Sequence, residues 1–494
     1  FGSGSASVVV GGGAPSGGPS ASSAGELVVS VRTYRFPAAD RTGWVLGLGG
    51  AQVVPLAGGV SAAVVIVART GSVTAGVVPF VAAVVVALIR VGGVPLLEAA
   101  TTAMGYGRRW QRRRFDAPFP FPGPELRLPA TFGRAEFVEV DTGHGPALIG
   151  VDGRSGLAAA TVRVAAPAPF LLCDEDDQIR FLDTFGEALA PLCREGGPVT
   201  SLRWVSFAAP AGLPPRDGSA EGPAVPAYRE VLDLLADEAH HEVLLTVTAA
   251  GKARGEGGAL VDMLIDEVRL LMDRLQGAGL SALPLDSSGF AGALRRRLDP
   301  VGRGSPAQLA ALPDGTGSVA AAGPLCLRER WHCLQLDGTV HRAYHLVEWP
   351  RSEVPPGWTA DLLLALPLTR VVCVVFEPVG WRASRRAVDR LAAKLDSDEE
   401  QRRRAGFRVG AEQEATRSEL TARERELVAG HPEFDYSGFV VLSAADADEL
   451  DELEAQARSV AAAAGVELAA CDGRQAEAFA ATLPVPLVPS GWRR

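Results

Sequence analysis

Residues 44–67 read WVLGLGGAQVVPLAGGVSAAVVIV, and residues 73–89 read VTAGVVPFVAAVVVALI. No charged residue lies between Arg41 and Arg69, and none lies between Arg69 and Arg90. About 20 apolar helical residues cross a bilayer core, and membrane helices tolerate Gly and Pro. The two stretches therefore predict a transmembrane helical hairpin with spans at about 44–67 and 73–89. The alternative is a pair of buried core helices in a soluble protein, which would need a very large surrounding core.

Positive charge flanks this hairpin on both sides, whereas its turn carries only Arg69. The flanking arginines are Arg32, Arg35, Arg41, Arg90, Arg108, Arg109, Arg112, Arg113 and Arg114. Because Lys and Arg concentrate on the cytoplasmic side of membrane proteins, we predict that both termini are cytosolic. The expected location is the inner, or cytoplasmic, membrane, with the lipid bilayer as one partner of the chain.

Composition excludes several classes of protein. The chain has 494 residues, 48 Lys and Arg against 58 Asp and Glu, and a net charge of -10. This acidic balance argues against direct binding of nucleic acid, which needs a surplus of positive charge. Six cysteines without a C-x-x-C pair do not indicate a disulfide scaffold, so a reducing compartment is expected.

Beyond the hairpin, short β-rich runs alternate with amphipathic helical stretches, as in layered α/β or α+β proteins. We therefore predict a membrane-anchored α/β (α+β) protein in which the two-helix transmembrane hairpin precedes two α/β lobes of similar plan. The predicted segments are a flexible Gly/Ser-rich tail at 1–25, the hairpin with its basic flanks at 26–115, a first cytosolic lobe at 126–300, a linker at 301–323, a second lobe at 324–484 and a tail at 485–494. The second lobe contains a charged helical arm at 380–430.

Three local patterns resemble nucleotide or phosphoryl sites, and each lacks a residue that the chemistry needs. The glycines at 11–13 are followed by Ser16 where a dinucleotide loop has its third glycine. Gly251-Lys252 precedes Ala253, so the hydroxyl that binds magnesium in a phosphate loop is missing. Gln335 occupies the position of the nucleophilic carboxylate in a dehalogenase-like motif. We therefore expect no enzymatic activity, no catalytic residues and no cofactor.

The region 326–345 is rich in the residue types that bind zinc. These residues are Cys326, His332, Cys333, His341 and His345. If Asp337-Gly338 is the loop of a β-hairpin, residue 334 lies opposite 341 and the three histidines share one face. Residues i and i+4 of a strand are about 13 Å apart, so His341 and His345 cannot bind one ion together. Histidines on the surface of a sheet are favoured. The alternative function is a membrane-anchored enzyme or metal-binding protein with a site near His332.

The arm combines similar numbers of acidic and basic residues with a sparse apolar stripe formed by Val388, Leu391 and Leu395. Mixed charge on a helix is usually a solvated face, and the alternative is a docking surface for a partner. Because the stripe is too thin to predict a private core, we interpret these three residues as partner-binding candidates.

Five segments of the chain carry a resemblance to a known family. They are HRAYHLVEWPR at 341–351, FEPV at 376–379, RRAGF at 403–407, AGHPEFDYSG at 429–438 and ATLP at 481–484. Together with the hairpin, they resemble an actinobacterial family of membrane proteins of conjugation and type IV secretion-like systems. In that family a PrgI-like transmembrane hairpin precedes a region similar to the amino-terminal, non-motor domain of VirB/TrbE/CagE-type secretion ATPases.

The resemblance covers about residues 27–484 and is strongest over 326–484. It implies a non-enzymatic, oligomeric membrane component that seats a separate motor ATPase. The resemblance supplies no catalytic residues.

Overall fold

A computed structural model describes residues 2–4, 33–36, 50–91, 94–113, 126, 128–166, 170–210, 239–251, 257–302, 319–364, 369–404, 411–489 and 492. Within these residues the chain is a mixed α/β protein built around one large antiparallel sheet. The prediction of an α/β fold is confirmed at this level.

The described residues form helices α1 Gly50–Thr70, α2 Val73–Leu88, α3 Leu96–Arg113, α4 Glu175–Leu189, α5 Gly257–Gly277, α6 Ser287–Leu298, α7 Ala360–Leu364, α8 Trp381–Arg404, α9 Ala411–Val428, α10 Ala447–Ala463 and α11 Gln475–Ala480. Aspartates begin three of these helices. The carboxylates of Asp174, Asp286 and Asp446 each accept a hydrogen bond from the backbone N–H three residues later. Such caps satisfy N–H groups that have no partner inside the helix.

The strands are β1 Gly2–Gly4, β2 Thr33–Arg35, β3 Arg90–Val91, β4 Val94–Pro95, β5 Glu136–Asp141, β6 Pro146–Asp152, β7 Leu157–Ala165, β8 Val199–Pro210, β9 Ala239–Ala250, β10 Ser281–Pro284, β11 Leu327–Glu329, β12 Leu334–Leu336, β13 Thr339–Glu348, β14 Thr369–Val379, β15 Glu433–Ala444 and β16 Glu467–Ala470. Strands β1 and β2 pair with each other, as do β3 and β4. The other twelve form one sheet in the order β11-β12-β13-β15-β14-β8-β9-β7-β6-β5, with β10 paired to β7 and β16 paired to β13.

This strand order is a palindrome about the pair β8 and β14. Strands β5 to β10, the first half, correspond one by one to strands β11 to β16, the second half. The halves join directly, because β14 pairs with β8 from Arg370 opposite Ala208 to Phe376 opposite Leu202. The two predicted lobes therefore have the same plan but share one sheet. The positions of the domain boundaries stay a prediction.

Helices cover both faces of the sheet. On one face, α6 and α11 pack on an apolar cluster that crosses the junction of the halves and includes Phe207 of β8 and Cys373 of β14. On the other face, α5 covers the first half through residues such as Leu264, and α10 covers the second half through residues such as Leu450. Because one cluster contains residues of both halves, the halves bury apolar surface against each other.

Helix α1 contains a candidate membrane span, Gln52–Thr70, and it is the one span of sufficient length and apolarity among the described residues. Nearly all residues of this span are exposed or partly exposed on the surface of the chain. Helix α2 is apolar, but its 16 residues extend about 24 Å, less than the roughly 30 Å of a bilayer core. A pair of transmembrane helices is therefore not shown. Residues 44–49 of the first predicted span lie outside the described residues.

Segments predicted as tails and linker are partly ordered. Residues 2–4 of the predicted N-terminal tail pair with β2, and residues 319–322 of the predicted linker form a short 3₁₀ helix. In the predicted C-terminal tail, Val485 is fully buried and the Trp492 ring packs 5.4 Å from that of His345. These contacts form because the last residues cross an apolar face of the sheet.

Candidate functional site

Helices α1 and α2 pack closely because glycines lie between them. A Cβ atom at Gly59 would overlap the Cβ of Ala83, and one at Gly76 would lie 2.5 Å from Cγ2 of Val67. Close approach through small residues is typical of helices that associate in membranes, where hydrophobic burial supplies no net attraction. Neither glycine can become a larger residue unless the helices move apart.

The polarity of this helix pair is inverted relative to a water-soluble hairpin. The buried Gln52 donates a hydrogen bond from Nε2 to the carbonyl oxygen of Ala87 across the pair, at 3.1 Å. The exposed residues include Val54, Val60, Val64, Val65, Val73, Val77, Val78, Phe80, Val81, Val85, Leu88 and Ile89. Exposed apolar surface of this extent marks a membrane or protein contact.

The segment that precedes the helix pair is attached to the second half of the sheet. Phe36 lies among aromatic side chains, with its ring centroid 5.2 Å from those of Trp349 and Trp358 and 6.1 Å from that of Tyr436. Aromatic pairs at these separations are stabilising. The chain is therefore held at the sheet shortly before α1 begins.

Helix α3, which follows the pair, returns to the same half. Arg109 donates to Oε1 of Glu477 at 2.6 Å and to the carbonyl oxygen of Gly473. One turn earlier, the Tyr106 ring packs edge-on against Trp331 at 5.2 Å. Both ends of the hairpin are thus fixed to the same half of the sheet.

The arm consists of α8 and α9 and extends from the hairpin of β14 and β15. Its apolar stripe does form a private core: Val388 and Leu395, which are 3% and 7% exposed, pack with Leu420 and Leu427 of α9. Leu391 is half-buried at the edge of this cluster. Partner binding by Val388, Leu391 and Leu395 stays a prediction. A partner could reach Val388 or Leu395 only if the arm opened.

Along one row of α8 the charge is uniformly positive, although the arm as a whole contains both signs. Near the base, Arg382, Arg386 and Arg390 recur every four residues on one exposed face of α8 and form what we call the basic stripe. The neighbouring Asp389 carboxylate pairs with Arg385 at 3.8 Å and not with the stripe. Toward the tip, acidic and basic groups are paired across the two helices. The four-residue spacing is a signal that sequence analysis could have used.

The histidine-rich hairpin has the predicted register, since Leu334 lies opposite His341. Two of the three histidines are not on the sheet surface as predicted, because His341 and His345 are buried beneath packed side chains, whereas His332 is exposed. His341 donates from Nε2 to the carbonyl oxygen of Leu298 at 3.0 Å, and its Nδ1 lies 2.8 Å from the Ser443 hydroxyl. Burial lowers the pKa of His341 to about 4, so this imidazole is neutral at pH 7.

His332 is separated from the other histidines. Its Nδ1 lies 3.0 Å from Oδ1 of Asp472 on an exposed part of the surface, while Cys333 packs in the core of the opposite face. Across the described part of the chain, no three His, Cys, Asp or Glu side chains converge as metal ligands would. The geometry therefore gives no support to a metal site near His332.

The Asp337-Gly338 turn has a structural role. Asp337 has a positive φ of 48°, and its Oδ1 accepts hydrogen bonds from the backbone N–H groups of Leu325 and Cys326. Its Oδ2 accepts from Arg295 at 3.1 Å. The glycines at 11–13 and Lys252 lie outside the described residues.

No protein-family model matches this chain, and no curated protein matches it.

A buried arginine at the centre of the sheet was not predicted from the sequence. Arg203 of β8 is fully buried and donates to the carbonyl oxygens of Ala481 (3.4 Å), Leu483 (2.8 Å) and Val485. Burial lowers the pKa of Arg203 to about 10, and the side chain stays charged at pH 7. It fixes the C-terminal segment 481–485 across the junction of the halves. Its only signal in the sequence is a lone charge within the apolar run SLRWVSF.

Proposed function

We propose that this protein is a non-enzymatic inner-membrane component of a conjugation or type IV secretion-like apparatus, and that it seats a separate motor ATPase. The observation that carries its membrane location is the inverted hairpin, which buries its polar Gln52 and exposes many of its valines. The secretion system and the motor ATPase are proposed from the resemblance of the five sequence segments at 341–351, 376–379, 403–407, 429–438 and 481–484. Such a surface is stable only when apolar material covers it. Lipid fits this requirement, because the helix interface also has the small residues of membrane helix pairs.

The attachment of both hairpin ends supports an arrangement in which the sheet and both ends lie on the same side of the membrane, and the flanking arginines favour the cytosolic side. Phe36 precedes the pair and Arg109 follows it, and both contact the second half of the sheet. Helix α2 is short for a full crossing, but a bilayer can thin locally around a short helix at modest cost. The Arg69 turn would then lie at the far side of the membrane.

We expect an impermeant thiol reagent applied to intact cells to label a Ser72→Cys variant in the turn. The exposed native Cys326 serves as an internal control, because it should react only after the cells are opened. Labelling would be measured by mass spectrometry of the two peptides. Reaction of Cys326 in intact cells, with Ser72→Cys unlabelled, would reverse the orientation.

The arm is the docking surface that we assign to the ATPase. Its basic stripe projects three exposed guanidinium groups from one helix face, and complementary charge on a partner would orient binding. The three arginines of the basic stripe can be replaced without unfolding the arm, because none of them belongs to the apolar core between α8 and α9.

Reversing two charges of the stripe should release the ATPase. We expect Arg386→Glu combined with Arg390→Glu to reduce ATPase recovery with membrane fractions at least about tenfold, since like charges across an interface cost several kcal/mol. Quantitative immunoblotting of membrane and soluble fractions would measure the effect, and recovery of this protein in the membrane fraction should not change.

Two further variants control this test. Arg425→Glu reverses one exposed charge on α9 outside the stripe and should leave the ATPase bound. Deletion of 381–428 removes the arm at a permissive place, because Val379 and Glu433 at its base are paired neighbours in the sheet. Wild-type recovery of the ATPase with the deletion variant would contradict docking through the arm.

A further inference from the structure

A buried carboxylate in the first half is surrounded by three arginines. Oε1 of Glu242 in β9 accepts hydrogen bonds from Nε and Nη2 of Arg163 at 3.1 and 2.9 Å and from Nη2 of Arg296 at 2.8 Å. Its Oε2 accepts from Nη1 of Arg297 at 3.0 Å. The arginines come from β7 and from the last turn of α6, so three separate elements build this cluster.

One of the three arginines is sufficient to balance the carboxylate. The Arg297 side chain is completely buried, and its guanidinium group lies 5.3 Å from the centroid of the Phe207 ring. Together, Arg297 and Glu242 form a closed ion pair in the interior. Arg163 and Arg296 are two additional cations held against the same oxygen atom, with side chains 43% and 14% exposed. The cluster therefore carries excess positive charge at its solvent side.

The pKa values of Glu242 and of the neighbouring His240 are consistent with this excess positive charge. Burial alone would raise the pKa of Glu242, but Arg297, Arg296 and Arg163 lower it to about 2. Burial and the charge of Arg296 lower the pKa of His240, which keeps that imidazole neutral at pH 7. Nε2 of His240 and Nε of Arg296 are buried without a hydrogen-bond partner. A buried guanidinium N–H without a partner is costly, and an acceptor bound to Arg296 would remove part of that cost.

We propose that Arg163 and Arg296 form a binding site for a phosphoryl group. Two guanidinium groups held side by side can each donate to a different oxygen of one tetrahedral anion, which is the geometry that favours arginine over lysine at phosphate sites. A dianion would offset the two cations that Glu242 leaves unbalanced. The ligand class is a phosphate ester, either free in the cytosol or in the headgroup of an anionic lipid.

Thermal unfolding of the full chain in detergent micelles provides the test, with inorganic phosphate as the probe and chloride buffer of equal ionic strength as the reference. We expect phosphate to raise the unfolding midpoint of the wild-type protein. In the Arg163→Met, Arg296→Met variant the apparent affinity should fall at least about tenfold, because two charge-assisted contacts are lost. Arg180→Met is the matched control, since this exposed arginine of α4 lies outside the cluster.

A lipid source is tested by reconstituting the same proteins in nanodiscs of phosphatidylcholine with or without phosphatidic acid. A response to phosphate in micelles without a response to phosphatidic acid identifies a soluble ligand, and a response to phosphatidic acid identifies a headgroup. Either response supports the site if the double variant loses it. No response to either probe, or equal responses in the wild type and the double variant, would overturn it. If the double variant does not fold, Arg163→Met alone gives the same comparison, because this side chain is the more exposed of the two.

Discussion

Replacing Arg203 by alanine is expected to lower the free energy of unfolding by about 3–5 kcal/mol, which combines the loss of charge-assisted hydrogen bonds with the cost of a cavity. The substitution removes hydrogen bonds to the carbonyl oxygens of Leu483 and Val485 and leaves these acceptors in an apolar core. It also leaves a cavity, because the side chain is fully buried. Urea unfolding of the detergent-solubilised protein, followed by intrinsic fluorescence, would measure the change.

Two comparisons separate this effect from a general loss of charge. Arg180→Ala removes an exposed arginine and should change the free energy of unfolding by less than about 0.5 kcal/mol. Limited proteolysis should cleave the segment after Val485 sooner in Arg203→Ala than in the wild type, because its anchor is gone. If Arg203→Ala were as stable as Arg180→Ala, the buried arginine would not hold the C-terminal segment.

Gly59→Leu is expected to separate helices α1 and α2. The new side chain would occupy the space of Ala83, and overpacking of this kind costs about 1–3 kcal/mol. A Gln52→Cys, Ala87→Cys pair reports the contact, because these residues are hydrogen-bonded across the pair. We expect a short bis-maleimide to join the two cysteines at least about fivefold less efficiently in the Gly59→Leu background, as read by mass spectrometry.

The adjacent glycine provides a control on the same helix. A Cβ atom at Gly58 would meet no atom within 4 Å, so Gly58→Leu should preserve cross-linking at the wild-type level. The two variants have the same composition and differ only in which side of α1 bears the leucine. Equal loss of cross-linking in both would show that leucine disturbs the helix itself and that the glycine contact is unimportant.

Local patterns predicted much of this fold. The alternation of β-rich runs with amphipathic helical stretches predicted the mixed α/β class, and Asp337-Gly338 predicted the register of β12 and β13. These features are set by residues close together in the sequence, so hydrophobic periodicity and turn residues are enough to predict them.

Features that depend on distant contacts were not predictable in this way. Nothing within β8 or β14 indicates that the two strands pair, and nothing near Arg203 indicates that its partners lie beyond residue 480. The arm's core was missed because Val388 and Leu395 form a sparse stripe on one helix, and Leu420 and Leu427, which complete it, lie on the other. The arginines around Glu242 were missed because they come from β7 and α6, whereas Glu242 lies on β9.

The palindromic strand order suggests how the chain arose and where it can be cut into fragments. Such a sheet would arise if a gene for one half were duplicated and the two copies were fused. The ancestral half would then have formed a dimer in which two identical edge strands paired about a two-fold axis. In the present chain that edge is β8, which is largely buried and rich in apolar residues. A fragment that ends between the halves would therefore expose an aggregation-prone edge, and fragments of this protein should be cut outside 199–379.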